Sequence, residues 1–518
     1  MKVGTSLLIV FVMLLSACSH RTVELSRQIL PATGQPAPGD PAVGLIADSQ
    51  LQSLPAWSVT NLYRQQLADK IIKVTIRPPA LDWTSRYLLL AHLEAQRLSG
   101  ARAIFYLGDG ANHGCTDEFT AGLSATMEVR KQLPLHSQGV LAILDTFRRE
   151  AGVPVFFVLG NHDFLGAGNT SSTTHRQSLC AHSASQPNPP LAKFDVIEAV
   201  DRFNRGNTEI AGDWVYQSSF TDPSATRAHC EAGENQQRQW GCYLAAVVDH
   251  RASGRNIQYL LLDTNDYLGV SSSSALGHEF EGLRGAMSFG APRNGIISQT
   301  GWFEGHVARR VDMRIALMHY DVEALRKKLP GVGAISKKSQ QFMNLFTRDD
   351  ATPLQADAYA VSAHTHAQGL GVFRTPFSLQ CGTIFCRPGD RPAIKELNVG
   401  STTDHPSLSA VLRWNVASET DGGLRYEVIR PATTSCRAIE ADLLAYHFPR
   451  PVGADSAQTG WAALGIKRAV PNSYHGFKDA DLKSIWENLS AFVKGETKRG
   501  VCVGLEAAAV EARQPKPY

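Results

Sequence analysis

The stretch Val153-Pro-Val-Phe-Phe-Val-Leu-Gly-Asn-His-Asp163 decides how the rest of the chain is read. Its first seven residues are apolar and mostly β-branched or aromatic, which is the composition of a strand buried on both faces. Gly160 ends the run, and Asn161, His162 and Asp163 follow at once. Four other short apolar runs end in a similar way. Val43-Gly-Leu-Ile-Ala47 leads into Asp48-Ser-Gln50, and Ala103-Ile-Phe-Tyr-Leu107 into Gly108-Asp109-Gly-Ala-Asn112. Ile315-Ala-Leu-Met318 leads into His319-Tyr-Asp321, and Ala358-Tyr-Ala-Val361, past Ser362-Ala363, into His364-Thr-His366. Amphipathic helical stretches lie between some of these runs, over 85–98, 140–151 and 299–310. Alternation of this kind predicts α/β layers, with the polar residues after the strands gathered at one sheet edge. Further strands are expected over 214–220, 243–248, 257–262, 396–399 and 410–414.

The residue types at that edge read as a mixed nitrogen and oxygen metal site. Asp48 and Asp109 supply carboxylates, Gln50 and Asn161 amides, and His319, His364 and His366 imidazoles. Such a set suits Mn, Fe or Zn better than Ca and needs no thiolate. Asp and Asn also favour turns, so a strand-end cap is the competing reading of any one of them. Five blocks in series argue for a site.

The order Asp-x-Gln, Gly-Asp-x-x-Asn, Gly-Asn-His-Asp, His and His-x-His resembles the calcineurin-like metallophosphoesterases, over about residues 43–415. Leu262-Asp263-Thr264, and Gln299 followed by Trp302-Phe303, also look like that family. The resemblance implies a four-layer α/β/β/α sandwich of two mixed sheets flanked by helices. It implies two divalent ions, one held by Asp48, Gln50, Asp109 and His366, the other by Asp109, Asn161, His319 and His364. Such a pair, roughly 3.5–4 Å apart, binds a phosphoryl oxygen, lowers the pKa of a shared water and stabilises charge during in-line displacement. His162 is then no ligand but the catalytic residue beside the leaving oxygen, as general acid or cation. The implied activity is hydrolysis of phosphate mono- or diesters.

Three positions depart from the family pattern. Gln50 stands where His is common, Asn112 replaces an acid that pairs with the catalytic His, and Ser362-Ala363 precede His364 where Gly is usual. Asn112 can still accept a hydrogen bond, but without charge it raises the pKa of His162 less. Asn112, His113, Asp163, Asp404 and His405 are candidates for lining the site or meeting substrate, although a loop-surface role is the stronger reading of His113 and Asp117. Gly400 and Ser401 could approach substrate closely or form a plain turn. Tyr320 and Asp321 reach the site rim or cap a helix, and Trp302 and Phe303 read as core.

Lys2 precedes an apolar run from Leu7 to Leu15, too short to span a bilayer and suited to the core of a secretory signal. Leu15-Ser-Ala-Cys18 resembles the lipobox of bacterial lipoproteins, in which the Cys becomes the lipidated first residue. An ordinary cleaved signal with an incidental Cys18 is the alternative. Ser19, rather than Asp, points by that resemblance to the outer membrane, facing the periplasm. The remaining cysteines are Cys115, Cys180, Cys230, Cys242, Cys381, Cys386, Cys436 and Cys502. An even number in an exported chain fits disulfides, in any of 105 connectivities, and a metal-binding cysteine cluster is disfavoured because there is no CxxC pair. Close spacing favours Cys230–Cys242 and Cys381–Cys386 as local loops, with Cys115–Cys180 and Cys436–Cys502 as long staples.

The chain of 518 residues therefore divides into a signal peptide (1–17), a tether (18–42), a catalytic domain (43–435, with insertions near 164–192 and 269–295) and a C-terminal helical extension (436–518). With 43% hydrophobic and 19% charged residues it can bury a sizeable core, which excludes a disordered protein. Lys and Arg total 51 against 48 Asp and Glu, a net charge of +3 that lends no support to nucleic-acid binding. The expected partners are a phosphate ester and the membrane under the lipid anchor. The competing function is a metal-containing envelope lipoprotein on the same fold that binds or supports rather than turns over. Gln50 and Asn112 are its basis.

Overall fold

Each of the five apolar runs forms a strand in a computed structural model of the chain, which describes residues 42–51, 85–133, 137–165, 188–236, 241–252, 254–265, 295–307, 311–322, 358–365, 369–374, 393–402, 408–414 and 424–429, with isolated positions between them. In chain order the strands are β1 (Ala42–Ile46), β2 (Ala103–Tyr106), β3 (Val155–Phe157), β4 (Trp214–Ser218), β5 (Ala246–Ala252), β6 (Arg255–Leu262), β7 (Met313–Met318), β8 (Ala358–Ser362), β9 (Gly369–Arg374), β10 (Ala393–Asn398), β11 (Ser409–Trp414) and β12 (Leu424–Ile429). The helices are α1 (Ser85–Leu98), α2 (Thr116–Phe119), α3 (Met127–Gln132), α4 (Val140–Ala151), α5 (Lys193–Arg205), α6 (Pro223–Gln236) and α7 (Gln299–His306). The strands form two sheets, in the orders β12-β11-β1-β2-β3 and β4-β5-β6-β7-β8-β10-β9. Both are mixed. β1, β2 and β3 run parallel in the first, and β6, β7, β8 and β10 in the second.

Side-chain alternation along the strands builds the layers. Val43, Leu45 and Phe105 of the first sheet meet Tyr259, Ile315 and Leu317 of the second in one buried core between the sheets. The Phe105 and Tyr259 rings lie 4.5 Å apart across that core. The alternate residues Ile46, Ile104, Tyr106 and Phe157 face α1, α4 and α5 in a second core, and Leu260, Leu262, Ala316 and Met318 face α7 in a third. The architecture is thus the expected α/β/β/α sandwich. Burial of each such large apolar side chain contributes about 1.5–3 kcal/mol.

α4 shows how one helix is specified. Its apolar residues Val140, Leu141, Ile143, Leu144 and Phe147 share a buried face. Gly152, at φ 65°, ends it with a left-handed cap. Asp145 on the same helix is clamped by Arg130 and Arg148, each at 2.5 Å. α5, not anticipated from the sequence, has a different task. β3 is an edge strand, and Asn204 of α5 and Asn207 of the 3-10 turn that follows it (Gly206–Glu209) cover that edge with their amides. Phe157 N donates to Asn204 Oδ1 at 2.8 Å and Asn204 Nδ2 returns a bond to Phe157 O at 3.0 Å. Asn207 treats Val155 in the same way, at 3.0 and 2.6 Å. Two side chains thereby stand in for a missing neighbouring strand.

α7 stops at His306 rather than running to 310, because Val307 takes up extended backbone. β1 begins at Ala42, the last residue of the expected tether. Disulfides join Cys115 to Cys180 and Cys230 to Cys242. Cys381, Cys386, Cys436 and Cys502, the signal and tether with Cys18, most of both insertions and the expected C-terminal helical extension lie outside the described residues. Among the described residues, no helix is long and apolar enough to cross a membrane.

Candidate metal centre

The loops after β2 and β3 form the floor of the centre, and glycine lets them touch. A Cβ at Gly108, whose φ is 87°, would lie 2.5 Å from Gly160 N, and a Cβ at Gly160 would fall on the amide and carboxylate of Asp109. Asp163 locks the contact. Its Oδ2 accepts from Asp109 N at 3.1 Å and Gly160 N at 2.8 Å, and its Oδ1 from Gly110 N at 2.7 Å and Ala111 N at 3.2 Å. Burial and the neighbouring Asp109 push this carboxyl up to about 7, against the pull of the amide donors. Asp163 is fully buried, so it braces two loops and does not face a substrate.

Four electron-pair donors converge above this floor. His319 is fully buried, and its Nδ1 lies 2.8 Å from Leu107 O, so Nδ1 carries the proton and donates to that carbonyl. Its Nε2 then faces Asp109 Oδ2 at 3.2 Å, Asn161 Oδ1 at 3.0 Å and His364 Nδ1 at 3.3 Å. Ligand atoms of Asp109, His319 and His364 all lie within 4.8 Å of one another. Atoms that can only offer lone pairs face each other stably when a cation, a proton or a metal ion, sits among them. The electrostatics agree. Burial works against charge on both partners, yet Asp109 pushes His319 up to about 9, while His319, His162 and His364 hold Asp109 well below the usual carboxylate range. The donor set fits a divalent ion.

Asp48 and Gln50 extend the centre on the side of β1. Both are buried. Gln50 Nε2 lies 3.1 Å from Asp109 Oδ2, so the amide points into the site rather than away from it. The charge of Asp48 is felt at His319. Among the described residues, the non-glycine positions with positive φ are Asp48 (54°), Gln50 (41°), Asp109 (56°) and His364 (65°). All four are candidate ligands. Each such conformation costs about 1–3 kcal/mol and persists only where its surroundings over-determine it.

His162 is set apart from the ligands. Its main-chain N–H donates to Asp109 Oδ1 at 2.9 Å, while its ring is partly exposed, with Nε2 4.0 Å from Asp109 Oδ2. Nδ1 donates to the main-chain carbonyl of Asn112 at 2.8 Å. The expected pairing with position 112 is therefore made by the backbone carbonyl rather than the side chain. The Asn112 amide instead meets His113 Nε2 at 3.2 Å. His113 is buried rather than on a loop surface, and burial lowers its pKa to about 4.

Other residues hold the loops. Ser401 Oγ donates to Asp48 O at 2.9 Å, so it supports the β1 loop. Asn398 Nδ2 donates to Ala363 O at 2.9 Å, steadying the turn before His364. Tyr320 is buried, its ring centroid 4.1 Å from that of His364. Gln299 brackets Asp263, accepting its N–H at 2.9 Å and donating to its carbonyl at 2.8 Å, and the Asp263 carboxylate pairs with buried Lys193 at 3.0 Å. Sequence reasoning gave no role to Asn398, Lys193 or the hydroxyl of Tyr106; a polar atom at the end of an apolar strand was the available signal for Asn398 and Tyr106. His366, Asp404 and His405 lie outside the described residues.

No family model and no curated protein matches the chain. Several solved structures resemble it at low identity. A dimetal phosphatase from Danio rerio is 12% identical, with a TM-score of 0.33, over 76% of this chain and 96% of that one. PhoD is 8% identical, with a TM-score of 0.32, over 76% and 71%. GAP50, the anchor in the inner membrane complex of Plasmodium, is 12% identical, with a TM-score of 0.29, over 76% and 85%.

Proposed function

We propose that the chain is a metal-dependent hydrolase of phosphate esters that works in the bacterial cell envelope, anchored by lipid at Cys18. The observation that carries the reading is the convergence of Asp109, Asn161, His319 and His364, with His319 turned by the Leu107 carbonyl so that Nε2 faces the other donors. These four residues would hold one ion, and Asp48, Gln50 and Asp109, with His366, the other. Divalent Mn, Fe or Zn ions held there would polarise a phosphoryl oxygen and acidify water. His162 lies at the exposed side of the centre. With Nδ1 donating to Asn112, it would deliver a proton from Nε2 to the leaving alcohol only as an imidazolium.

Purified protein stripped of metal and refilled with Mn, Fe or Zn is the test, with aryl phosphate mono- and diesters as substrates. Turnover that returns with metal on either class is the expected result. Bound metal without turnover overturns the hydrolase reading in favour of a binding protein, and well under two ions per chain favours a structural lipoprotein. Mass spectrometry of the mature N-terminus tests the anchor, which a Cys18 without lipid would exclude.

A further inference from the structure

We infer that Tyr106 is a positioning residue for one ion of the centre, holding the Asp48-Ser49-Gln50 turn so that both flanking side chains reach the same place; the inference rests on the two-ion reading above. Tyr106 ends β2, in register with Ile46 of β1 and Phe157 of β3. Its ring stacks on Phe157 at 4.7 Å and 8° in the core beneath the helices. A phenylalanine would fill that place equally well. The hydroxyl does something else, because it reaches the residue between two candidate ligands.

Ser49 N donates to Tyr106 Oη at 3.1 Å, and Ser49 Oγ donates to Gly110 O at 3.2 Å. A serine hydroxyl has one proton, so in the remaining hydrogen bond, between Ser49 Oγ and Tyr106 Oη, the tyrosine donates. The three bonds form one directed chain from the Ser49 amide through the phenol and the serine hydroxyl to the Gly110 carbonyl. Gly110 N in turn donates to Asp163 Oδ1 at 2.7 Å. Ser49 is thereby tied to the frame that holds Asp109. On either side of Ser49, Asp48 and Gln50 have left-handed backbone, at φ 54° and 41°. Such a turn needs restraint from outside itself, and the phenol supplies it.

Tyr106→Phe keeps the ring and removes the hydroxyl. Binding isotherms of the full chain with Mn and with Zn, together with metal content, give the readout. The wild type should take two ions. The variant should hold one with unchanged affinity and the second about tenfold or more weaker, as is typical when a partner behind the ligands is lost. Gln50→Ala should weaken that same ion, and Tyr106→Phe should add less on top of Gln50→Ala than on the wild type. His319→Ala should weaken the other ion. Should Tyr106→Phe not fold, Ser49→Ala carries the test, with a smaller loss at the same ion. Both ions held at wild-type affinity, or both weakened alike, would overturn the inference. A wild type that binds two ions but cleaves neither ester class sinks the proposed function and leaves this inference standing. A wild type that binds no ion sinks both.

Discussion

The imidazole half of the centre and its oxygen half are held by different means. On the second sheet, His319 is aimed by a partner, since Leu107 O on the first sheet accepts from Nδ1 at 2.8 Å and leaves Nε2 facing the ligands. Tyr320 backs the ring of His364. On the first sheet, Asp48, Gln50 and Asp109 are aimed by their own left-handed backbone. That backbone is kept in place by bonds between loops, from Asp48 N to Gly108 O at 3.1 Å, Gln50 N to Asp109 O at 2.8 Å and Leu51 N to Gly110 O at 2.7 Å. The difference teaches where each half is vulnerable. In the nitrogen half the contacts fall on the imidazole rings themselves, whereas in the oxygen half they fall on the backbone that carries the ligands, from neighbouring loops and from the side chains of Tyr106 and Asp163.

Asp109 belongs to both halves, so Asp109→Asn should have the largest effect. Both ions should be lost together and turnover should drop about 10³-fold or more, equivalent to several kcal/mol of transition-state charge stabilisation. Metal analysis of the purified variant that still found one tightly held ion would break the comparison, because the halves would then be independent. His162 belongs to neither half. His162→Asn should lower kcat by about 10²–10³-fold with metal content unchanged. If that variant instead empties the site, His162 is a ligand and not an acid.

Gly160→Ala asks whether main chain governs the oxygen half. The added methyl meets Asp109 in its backbone amide and carboxylate, neither of which can swing away. Overpacking of this kind costs about 1–3 kcal/mol, and here it should also displace Asp109 and release metal. Gly152→Ala is the comparator. It sits at a left-handed φ, 65°, which Gly160 does not, and nothing lies within 4 Å of its added Cβ. It should cost about 1 kcal/mol of stability by urea unfolding and leave metal binding alone. Equal metal loss in the two variants would mean that general destabilisation, not the Gly160 contact, empties the site.

The strand ends were legible because parallel strands covered on both faces must be apolar throughout, so each polar residue that follows marks a sheet edge. Helices α1 and α4 were legible for a related reason, as each carries one apolar face. α5 was not. Its buried face includes Lys193, Asp201 and Asn204, which resemble a solvated face until their partners are known. For Lys193 and Asn204 those partners are Asp263 and the edge of β3, both distant in sequence. The same limit explains Asn112. Sequence suggests a side chain to pair with His162, but it does not say which main-chain carbonyl faces the ring, and here it is that of the same residue.

The last expected effect arises outside both halves and tests whether the first sheet loosens by titration rather than through the site. His92 of α1 is fully buried, with Nδ1 2.9 Å from Ser409 Oγ on β11. Gln96 Nε2 donates to that same oxygen at 2.8 Å. Burial lowers the His92 pKa from 6.5 to about 3. Between those values the unfolded chain binds a proton that the folded chain refuses. Above pH 6.5 the group costs nothing, and as pH falls below 6.5 it removes about 1.4 kcal/mol of stability per pH unit until about pH 3. His92→Asn has no titrating ring and escapes that loss. Urea unfolding at pH 7.5 and 5.5 should therefore show wild type losing about 1.4 kcal/mol more than the variant over this step. Equal losses in the two proteins would mean that His92 takes up its proton in the folded state, and that acid weakens the molecule at some other group.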